Sequence, residues 1–444
     1  MTVSQKDSPI LAGWGRVGVP GYEVLSEDLE NQTQNAVLSR GLGRSYGDAS
    51  LPPHGKLEVV GTVLADRLLH FDPETGWLRA EAGVSLAEIL RVFMPRGWFP
   101  AVTPGTKFVT LGGMVASDVH GKNHHRDGCI GKHVRWIKLR VGDGRVVECT
   151  REQHADLFFA TLGGMGLTGH ILELEMQLVR IPSPWIWSES ERVPNIDVFM
   201  DRLSAVASQW PMTMGWIDCL SKGDRLGRGI LYCGRWAEPT EAPTRFPPHK
   251  RKLAVPFVCP SWMMGPLVVR TFNQLYYMKH WRQRWAGIVH PDSFFYPLDA
   301  IHHWNRLYGP RGFTQFQCVL PRSAAQTGAR RVLELLAQRG GASFLCVIKD
   351  CGPQGEGLLS FPMSGISIAL DIAIRDNTQA LVDALNQQVI EEGGRVYLTK
   401  DGFTRPEHFA AMEPRLEQWR QIRRKWDPDG RIKSALSERV LGDT

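Results

Sequence analysis

Three glycine-rich segments in the first 180 residues constrain this chain more than any other feature of its sequence. They are residues 40–48 (RGLGRSYGD), 103–123 (TPGTKFVTLGGMVASDVHGKN) and 157–176 (LFFATLGGMGLTGHILELEM). The first has the spacing GxGxxxG, one residue off the dinucleotide fingerprint, and a loop and a strand follow it where a Rossmann site needs a helix. No GK[ST] ends the segment, so a P-loop is excluded as well.

A run of glycines can still expose successive backbone N–H groups as a nest, which binds a diphosphate without a helix. In the first segment, Arg40 and Arg44 would add positive charge. Taken alone, this segment is explained as well by a structural turn as by an anion site. Three such segments separated by strands, however, predict a long ligand that crosses several backbone turns.

The hydrophobic pattern predicts an α+β chain. Residues 134–149 carry alternating apolar residues on both sides of a GDG turn, which predicts a hairpin. Ser85, with Glu88 three residues later, is typical of a helix N-cap. Between 311 and 372, the runs GFTQFQCVL, ASFLCVIKD and GISIALDIAI predict strands of one sheet, with helices between and after them.

The end of the chain predicts one further helix that begins at a proline and is stopped by DPDG. Its apolar positions on helical spacing are Leu416, Trp419, Ile422 and Trp426. A length of 444 residues suggests two domains. We therefore expect a second, sheet-bearing domain inserted before this helix.

The net charge and the cysteine content indicate which classes of partner and which compartment suit this chain. The chain is 43% hydrophobic and 22% charged, as in soluble globular proteins, and its formal net charge of +6 favours an anionic partner such as a phosphate-bearing substrate or an anionic membrane surface. Nucleic acid is disfavoured, since no long Lys/Arg run or binding motif occurs. The eight cysteines form no CxxC pair, and the N-terminus has no apolar signal segment. A cytoplasmic protein with reduced thiols is expected.

Residues 253–269 (LAVPFVCPSWMMGPLVV) are uncharged and follow three basic residues, 250–252. Three prolines disfavour a membrane-spanning helix here. A buried irregular segment and a lipid-contacting loop with a basic collar both remain open. Aromatic residues alternate with basic ones just downstream, a mix that suits a headgroup interface but also occurs in buried helices: Tyr276, Tyr277, Lys279, Trp281, Arg282, Arg284 and Trp285.

The stretch DVHGKNHHRDG at 118–128 holds three histidines. His120 and His124 have the i, i+4 spacing of a helical metal pair, but Gly121 follows at once and no carboxylate stands between them. We expect no metal, and proton shuttling lacks a nearby nucleophile. For His124 and His125 the simpler interpretation is that they are polar loop residues with local partners.

Taken together, these segments resemble the vanillyl-alcohol-oxidase-type FAD-binding fold. Seven short segments of the chain resemble, in the same order, segments of the decaprenylphosphoryl-β-D-ribose 2′-oxidase family: RGLGRSYGD, DVHGKNHH, ATLGGMGLTG, FTQFQ, SFLCVIKD, YLTKD and RRKWDP. The resemblance covers nearly the whole chain and is weakest between about 185 and 290. It implies a two-domain fold with an FAD-binding domain over 1–184, an antiparallel-sheet substrate domain over 185–394, and a segment at 395–444 that completes the first domain.

The resemblance implies that the first glycine segment binds the pyrophosphate of FAD and the other two surround the ribityl chain and flavin. The residues expected at the cofactor are Arg40, Gly41, Leu42, Gly43, Arg44, Ser45, Tyr46, Gly47, Asp48, Gly105, Thr106, Thr110, Leu111, Gly112, Gly113, Ser117, Asp118, Val119, His120, Gly121, Asn123, Gly166, Leu167, Thr168, Gly169, Ile171 and Tyr397. Related alditol and aldonolactone oxidases often read GxGHS in the first segment, with the histidine bonded to the flavin. Arg44 stands there in this chain, so FAD is expected to be noncovalent, with His120 as a lesser candidate for attachment.

Oxidation of a secondary alcohol needs a hydride acceptor, which a flavin supplies, and a base for the hydroxyl proton. By the resemblance, Lys400 lies near the substrate, where it could be that base or could only bind the phosphate or the flavin; both roles stay open. Tyr46 and His120 are the other catalytic candidates. Gln315 and Gln317 alternate on one strand and so face the same side of a sheet, either toward sugar hydroxyls or as a core pair.

The full set of substrate candidates is Lys122, Trp216, Gln315, Gln317, Lys349, Ser367, Ala369, Asp371 and Lys400, with Lys122 directed at the substrate phosphate. Two of them depart from the family pattern. Ala369 stands where mycobacterial members carry a cysteine, and Ser367 replaces a nearby asparagine. These departures put the identity of the sugar in doubt more than the reaction type.

The resemblance implies FAD-dependent oxidation of the C2 hydroxyl of a polyprenyl-phosphoryl pentose, with ribose as the first choice, as the first half of a 2′-epimerisation toward an arabinose donor. An NAD(P)H-dependent short-chain reductase would be the partner that completes it. A soluble alditol or aldonolactone oxidase is the alternative, and a non-catalytic flavoprotein scaffold for the reductase is a third. We expect the enzyme in the cytoplasm or peripheral on the inner face of the cell membrane.

Overall fold

The computed structural model describes residues 9–248 and 253–443. In its first part the strands are β1 (Ile10–Ala12), β2 (Gly18–Pro20), β3 (Tyr22–Leu25), β4 (Ser39–Arg40), β5 (Glu58–Gly61), β6 (Leu68–Phe71), β7 (Trp77–Glu81), β8 (Trp98–Pro100), β9 (Val134–Arg140), β10 (Val146–Thr150) and β11 (His170–Arg180). The helices are α1 (Leu29–Gln32), α2 (Leu86–Phe93), α3 (Leu111–Ala116), α4 (His124–Asp127) and α5 (Ala155–Thr161).

Two sheets organise this part. Strands β3, β5 and β4 pair in parallel, and the first glycine segment continues directly from β4. An antiparallel sheet has the order β10-β9-β11-β7-β6, with β8 also pairing with β11. Its apolar side packs with α2, α3 and α5 in one hydrophobic core. The second and third glycine segments connect these helices to the sheet, so all three segments lie near one another.

The middle of the chain contributes the strands β12 (Ile186–Val193), β13 (Met212–Ile217), β14 (Gly229–Trp236), β15 (Leu253–Ala254), β16 (Arg284–Val289), β17 (Ile301–His302), β18 (Phe313–Pro321), β19 (Cys346–Cys351) and β20 (Gly365–Ala373). Its helices are α6 (Ile196–Ala207), α7 (Pro266–Lys279), α8 (Pro291–Phe295), α9 (Ala325–Gln338) and α10 (Thr378–Glu391). The chain ends with β21 (Arg395–Val396), α11 (Pro406–Met412), α12 (Leu416–Trp426) and α13 (Ala435–Leu441).

A large antiparallel sheet dominates this region, with the order β16-β12-β14-β13-β19-β20-β18-β21 among the described residues. Apolar residues from one face of the sheet form a core with α6, α9 and α10. The alternate residues of β18, β19 and β20 face the glycine segments on the other side. Because side chains alternate along a strand, one face supplies the core and the other supplies a site.

The local sequence predictions of a hairpin, a helix cap and one shared sheet are confirmed. Strands β9 and β10 pair antiparallel, and the hydroxyl of Ser85 accepts a hydrogen bond of 3.2 Å from the backbone N–H of Glu88. Strands β18, β19 and β20 are neighbours in one sheet. The mixture of helices and antiparallel sheets also confirms the α+β class.

One expectation is confirmed and one needs correction. The helix expected near the end of the chain is α12: it begins at Leu416, two residues after Pro414, contains Leu416, Trp419, Ile422 and Trp426, and ends just before Asp427 of DPDG. The segment 253–269 is not a buried irregular segment: it forms β15, a short helical turn at 261–264 and the first residues of α7, and several of its large apolar side chains are exposed. Its basic collar at 250–252 lies outside the described residues. No helix in the described part of the chain is both long and apolar enough to cross a bilayer.

The domain boundaries remain a prediction. The expected boundary at 184/185 falls between β11 and β12. Strand β21 pairs with β18, so the large sheet reaches two residues beyond the expected limit at 394. The chain then returns to the first part, where Trp419 of α12 donates a hydrogen bond of 2.9 Å to the carbonyl of Ala160.

Candidate functional site

A cavity of about 520 Å³ lies between the three glycine segments and the open face of the large sheet. Backbone borders it on the glycine side. An added Cβ at Gly166 would have no atom within 4 Å, and this residue has φ +77°, a conformation that favours glycine. An added Cβ at Gly41 would lie 2.2 Å from the hydroxyl oxygen of Thr110, so the loops approach each other without room for side chains. This is a surface on which a long, flat ligand can lie.

Most of the residues expected at the cofactor line this cavity. They are Gly41, Leu42, Gly43, Arg44, Ser45, Tyr46, Gly105, Thr106, Thr110, Gly112, Gly113, Ser117, Val119, His120, Gly121, Gly166, Gly169, Ile171 and Tyr397. They come from all three glycine segments and from the chain after β21. The group of residues fits the FAD that the sequence implies.

Eight residues expected at the cofactor do not line the cavity: Arg40, Gly47, Asp48, Leu111, Asp118, Asn123, Leu167 and Thr168. Leu111 and Leu167 are core residues. Four side chains are held by other groups: Arg40 by Glu23 at 2.6 Å, Asp48 by Arg439 at 2.7 Å, Asn123 by the carbonyl of Ala101 at 2.8 Å, and Thr168 by Thr161 at 2.9 Å. Asp118 accepts from the N–H of Gly131 and from Ser360, and Gly47 is pressed against the carbonyl of Asp401. These residues support the loops from behind.

The open face of the large sheet supplies the polar side of the cavity. Trp216, Val347, Ala369 and Gln317 form one row across four strands, since consecutive members are paired in the strand register. Lys349 is paired with Ser367 in the next row. Of the substrate candidates, only Ser367 and Asp371 do not line the cavity.

Asp371 lies behind Gln315, its partner in the register of β18 and β20. Its carboxylate accepts a 2.6 Å hydrogen bond from the amide of Gln315 and a 2.7 Å hydrogen bond from the hydroxyl of Tyr308. Burial raises the pKa of Asp371 to about 6, although both hydrogen bonds and the charge of Lys400 oppose this. The carboxyl is therefore mostly ionised at neutral pH and fixes the position of Gln315.

Lys122, Lys349 and Lys400 all line the cavity. Among the described residues none of the three forms an ion pair; Lys122 donates to the carbonyl of Phe295 at 3.0 Å, and Lys400 lies 3.9 Å from the centre of the Tyr46 ring. Burial lowers the pKa of Lys122 to about 7, with a further contribution from Lys349. Burial also lowers the pKa of Lys349. Uncompensated cations at one site favour an anionic ligand.

The pKa of Lys400 is also lowered. Burial lowers its pKa to about 7, the charge of Asp371 opposes the shift, and Lys349 adds to it. A lysine with this pKa is neutral in about half of the molecules at neutral pH, so it can accept a proton. Tyr46, by contrast, is buried and its pKa is raised well above the usual range, so its hydroxyl stays protonated.

His120 is buried at the cavity wall between Tyr397 and Gln317. Burial, followed by the charge of Lys349, lowers its pKa well below the usual value, so the ring is neutral. The Gln317 amide nitrogen lies 3.0 Å from Nε2 of His120, and that amide also donates to the hydroxyl of Ser367 at 3.2 Å. Nδ1 of His120 is buried without a hydrogen-bond partner among the described residues, and a polar flavin atom would supply one.

The two other histidines of the stretch bond to backbone groups. Nδ1 of His124 accepts a hydrogen bond of 3.1 Å from the N–H of Gly352. Nε2 of His125 lies 2.8 Å from the carbonyl oxygen of Trp210. Neither residue lines the cavity. The interpretation as polar loop residues with local partners is therefore wrong: both residues lie on α4, and their partners are 228 and 85 positions away in the sequence. Nε2 of His124 and Nδ1 of His125 are buried without a hydrogen-bond partner among the described residues.

Arg44 takes part in the cavity wall through its guanidinium group. Its Nε donates to the carbonyl of Phe108 at 3.1 Å, and its guanidinium carbon lies 4.1 Å from the centre of a Trp14 ring. Burial lowers its pKa from the usual value for arginine, but the group remains a cation. A fixed cation at this position can pair with an anionic part of a ligand.

Sequence reasoning missed many cavity residues, including Trp14, Phe108, Met165 and Thr399 in the first and last parts of the chain. Another group comes from the aromatic-rich middle of the chain: Met214, Phe272, Tyr276, Phe295, Asp299, His302, His303, Trp304, Phe344 and Val347. The density of aromatic residues was visible in the sequence, but no spacing motif indicated which of them face the cavity. Tyr308, which fixes Asp371, was missed for the same reason.

Comparisons with known proteins give three kinds of match. The family described as "FAD binding domain" matches residues 29–150. Decaprenylphosphoryl-β-D-ribose oxidase of Mycolicibacterium smegmatis is 33% identical over 97% of this chain and 97% of its own. A protein of Streptomyces coelicolor, "Uncharacterized protein in mprA 5'region", is 30% identical over 80% of this chain and 100% of its own. L-gulonolactone oxidase of Mus musculus is 29% identical over only 35% of this chain.

Proposed function

The chain belongs to the decaprenylphosphoryl-β-D-ribose oxidase family of FAD-dependent oxidoreductases, and on that premise we propose that it oxidises the C2 hydroxyl of a polyprenyl-phosphoryl pentose, ribose in the first instance, to a 2-keto sugar. The observation that carries the choice of substrate is the group of three lysines at the cavity, Lys122, Lys349 and Lys400, none of which forms an ion pair among the described residues. A neutral polyol offers no charge to such a group. A phosphate does.

Bound FAD supplies the hydride acceptor for the carbinol carbon. Lys400, neutral in part at pH 7, accepts the hydroxyl proton as the carbon–hydrogen bond breaks. The ammonium group formed is then stabilised by the face of the Tyr46 ring and by the charge of Asp371. Tyr46 and Asp371 therefore favour the proton transfer toward Lys400.

The remaining polar residues bind and orient the substrate. Gln317 is fixed on its nitrogen side by His120 and Ser367, which leaves its amide oxygen to accept from a sugar hydroxyl. Lys122 and Lys349 bind the phosphate, and Trp216 lines the cavity on the row that also contains Ala369. The small Ala369 leaves room for the sugar ring against the sheet.

The keto sugar would be reduced by a separate NAD(P)H-dependent short-chain reductase, which completes a 2′-epimerisation toward an arabinose donor. A keto group at C2 needs only one hydride from the opposite face to give the epimer. Two consecutive enzymes of this kind supply the two redox steps in balance: the first removes a hydride and a proton, and the second returns them.

The decisive experiment is anaerobic mixing of the yellow enzyme with polyprenyl-phosphoryl ribose, and separately with free polyols. We expect the phosphoryl ribose to bleach the flavin absorbance and xylitol to leave it unchanged. Bleaching by xylitol alone would favour a soluble alditol or aldonolactone oxidase instead. No bleaching by any sugar would favour a flavoprotein scaffold for the reductase.

A further inference from the structure

Helix α7 and the residues beside it expose a group of large apolar side chains, which we call the α7 surface: Phe257, Trp262, Leu267, Val268, Leu275, Met278 and Trp281. Leu267 is 78% exposed and Leu275 is 63% exposed. Single exposed leucines are common on proteins, but a cluster of this kind marks an interaction site. None of these seven residues lines the cavity.

The exposure does not arise from a loosely attached helix. On the inner side of α7, Val269 and Asn273 are buried, and the amide of Asn273 donates to Asp218 at 2.9 Å. The hydroxyls of Tyr276 and Tyr232 lie 2.9 Å apart. Side chains at i, i+4 and i+7 share one face of a helix. With its inner face anchored, α7 must present Leu267, Leu275 and Met278 outward.

The segment of sequence that carries the α7 surface has charges of one sign. The fifty residues from 242 to 291 contain no aspartate or glutamate and eight basic residues: Arg245, Lys250, Arg251, Lys252, Arg270, Lys279, Arg282 and Arg284. Three of these, at 250–252, lie outside the described residues, and Arg284 forms an ion pair of 3.3 Å with Glu191 of β12. An apolar face flanked by cations and exposed tryptophans suits the headgroup region of an anionic bilayer. A second copy of this chain would bring the same cations face to face, which disfavours a symmetric dimer through this surface.

The α7 surface adjoins the cavity. Phe272 and Tyr276 lie on the same helix and line the cavity, and Phe272 is itself 45% exposed. A ligand in the cavity can therefore extend along α7 toward the apolar surface. We propose that the α7 surface docks the protein on an anionic lipid bilayer, so that a polyprenyl tail remains among the lipids while its phosphoryl sugar enters the cavity. The role of the tail rests on the proposed function; the docking itself does not.

Sedimentation with lipid vesicles tests the docking. The full-length, FAD-loaded protein is mixed with vesicles of phosphatidylglycerol and phosphatidylcholine, or of phosphatidylcholine alone. We expect it to sediment with the anionic vesicles and to be released as salt rises. The double variant Leu267→Glu/Leu275→Glu should lose binding by about tenfold or more, since it removes buried apolar area and adds repulsion.

The matched control is the double variant Leu64→Glu/Leu69→Glu, whose leucines are 45% and 42% exposed on the first part of the chain. It adds the same two charges and should bind vesicles like the wild type. Flavin absorbance and anaerobic reduction by a water-soluble, short-chain phosphoryl ribose check that each variant is folded. Both readouts should be unchanged, because neither leucine pair lines the cavity.

Three results would overturn the docking: a wild type that stays in the supernatant with anionic vesicles, an α7 variant that binds them as well as the wild type, or a control variant that loses binding equally. A concentration-dependent dimer that only the α7 variant abolishes, with no vesicle binding, would assign the surface to a second copy instead. If vesicles bind but the phosphoryl ribose does not reduce the flavin, the proposed function fails and the docking stands.

Discussion

The side-chain nitrogen of Lys400 lies 3.9 Å from the centre of the Tyr46 ring. The ring face favours the ammonium form, and so does the charge of Asp371. Burial works against both and is the largest influence, so the pKa of Lys400 falls to about 7. A base with this pKa is free to accept a proton at neutral pH and is still basic enough to hold it.

Replacing Lys400 with methionine should slow reduction of the flavin at saturating substrate. Loss of a general base typically costs about 10² to 10⁴-fold in rate. The protein should stay yellow, because the residues bordering the cofactor side of the cavity come mainly from the glycine segments. Stopped-flow absorbance under anaerobic conditions measures the rate.

The same variant separates a base from a binding residue. If Lys400 only binds the phosphate or sugar, the loss should appear as weaker substrate binding, with saturated reduction nearly intact. A variant that purifies without FAD would contradict both roles and make the lysine structural. Lys400→Arg keeps the positive charge but cannot act as a base at neutral pH, so it should restore binding without restoring the rate.

The pH dependence should report two lysines with opposite requirements. Reduction needs Lys400 neutral, so its rate rises as pH passes upward through about 7. Phosphate binding needs Lys122 charged, and this lysine loses its proton near pH 7 as well. The second-order rate constant for reduction should therefore be bell-shaped with a narrow maximum near pH 7, and its two limbs belong to the coupled group of lysines. A flat profile would contradict this assignment.

Asp371→Asn should move the ascending limb of that profile to lower pH. The carboxylate favours the charged form of Lys400, so its removal lowers the pKa of Lys400 further, by something on the order of one unit. Asp350→Asn is the matched control, since Asp350 is also buried but pairs with Arg322 at 2.5 Å. Identical profiles for the wild type and both variants would show that Asp371 does not act on Lys400.

The features that the sequence predicted well depend on residues close together in the chain. The alternation of Gln315 and Gln317 follows from strand geometry, and both line the cavity. The hydroxyl of Ser85 caps its helix by accepting a hydrogen bond from the backbone N–H of Glu88, three residues away. The glycine segments could be identified from the sequence because few other residues allow two backbone segments, or a backbone segment and a ligand, to approach so closely.

The features that were missed depend on distant pairs or on the direction a side chain faces. Arg40 was expected at the cofactor, but its guanidinium forms an ion pair with Glu23 and does not line the cavity. Tyr308 reaches Asp371 across 63 positions of sequence, and no local pattern indicates that contact. The α7 surface has the same periodicity as a buried helix, so only the three-dimensional structure distinguishes exposure from burial.

FAD should be bound noncovalently. At the position where a flavin-linked histidine occurs in related oxidases, Arg44 is engaged with the Phe108 carbonyl and a Trp14 ring, and a guanidinium is not a nucleophile. The remaining candidate is His120, whose ring is neutral; with the Gln317 amide donating to Nε2, Nδ1 carries the ring proton and has no free electron pair. Acid precipitation should leave a colourless pellet and a yellow supernatant, for the wild type and for His120→Ala alike. A pellet that stays yellow in the wild type and turns colourless in His120→Ala would instead identify His120 as the attachment site.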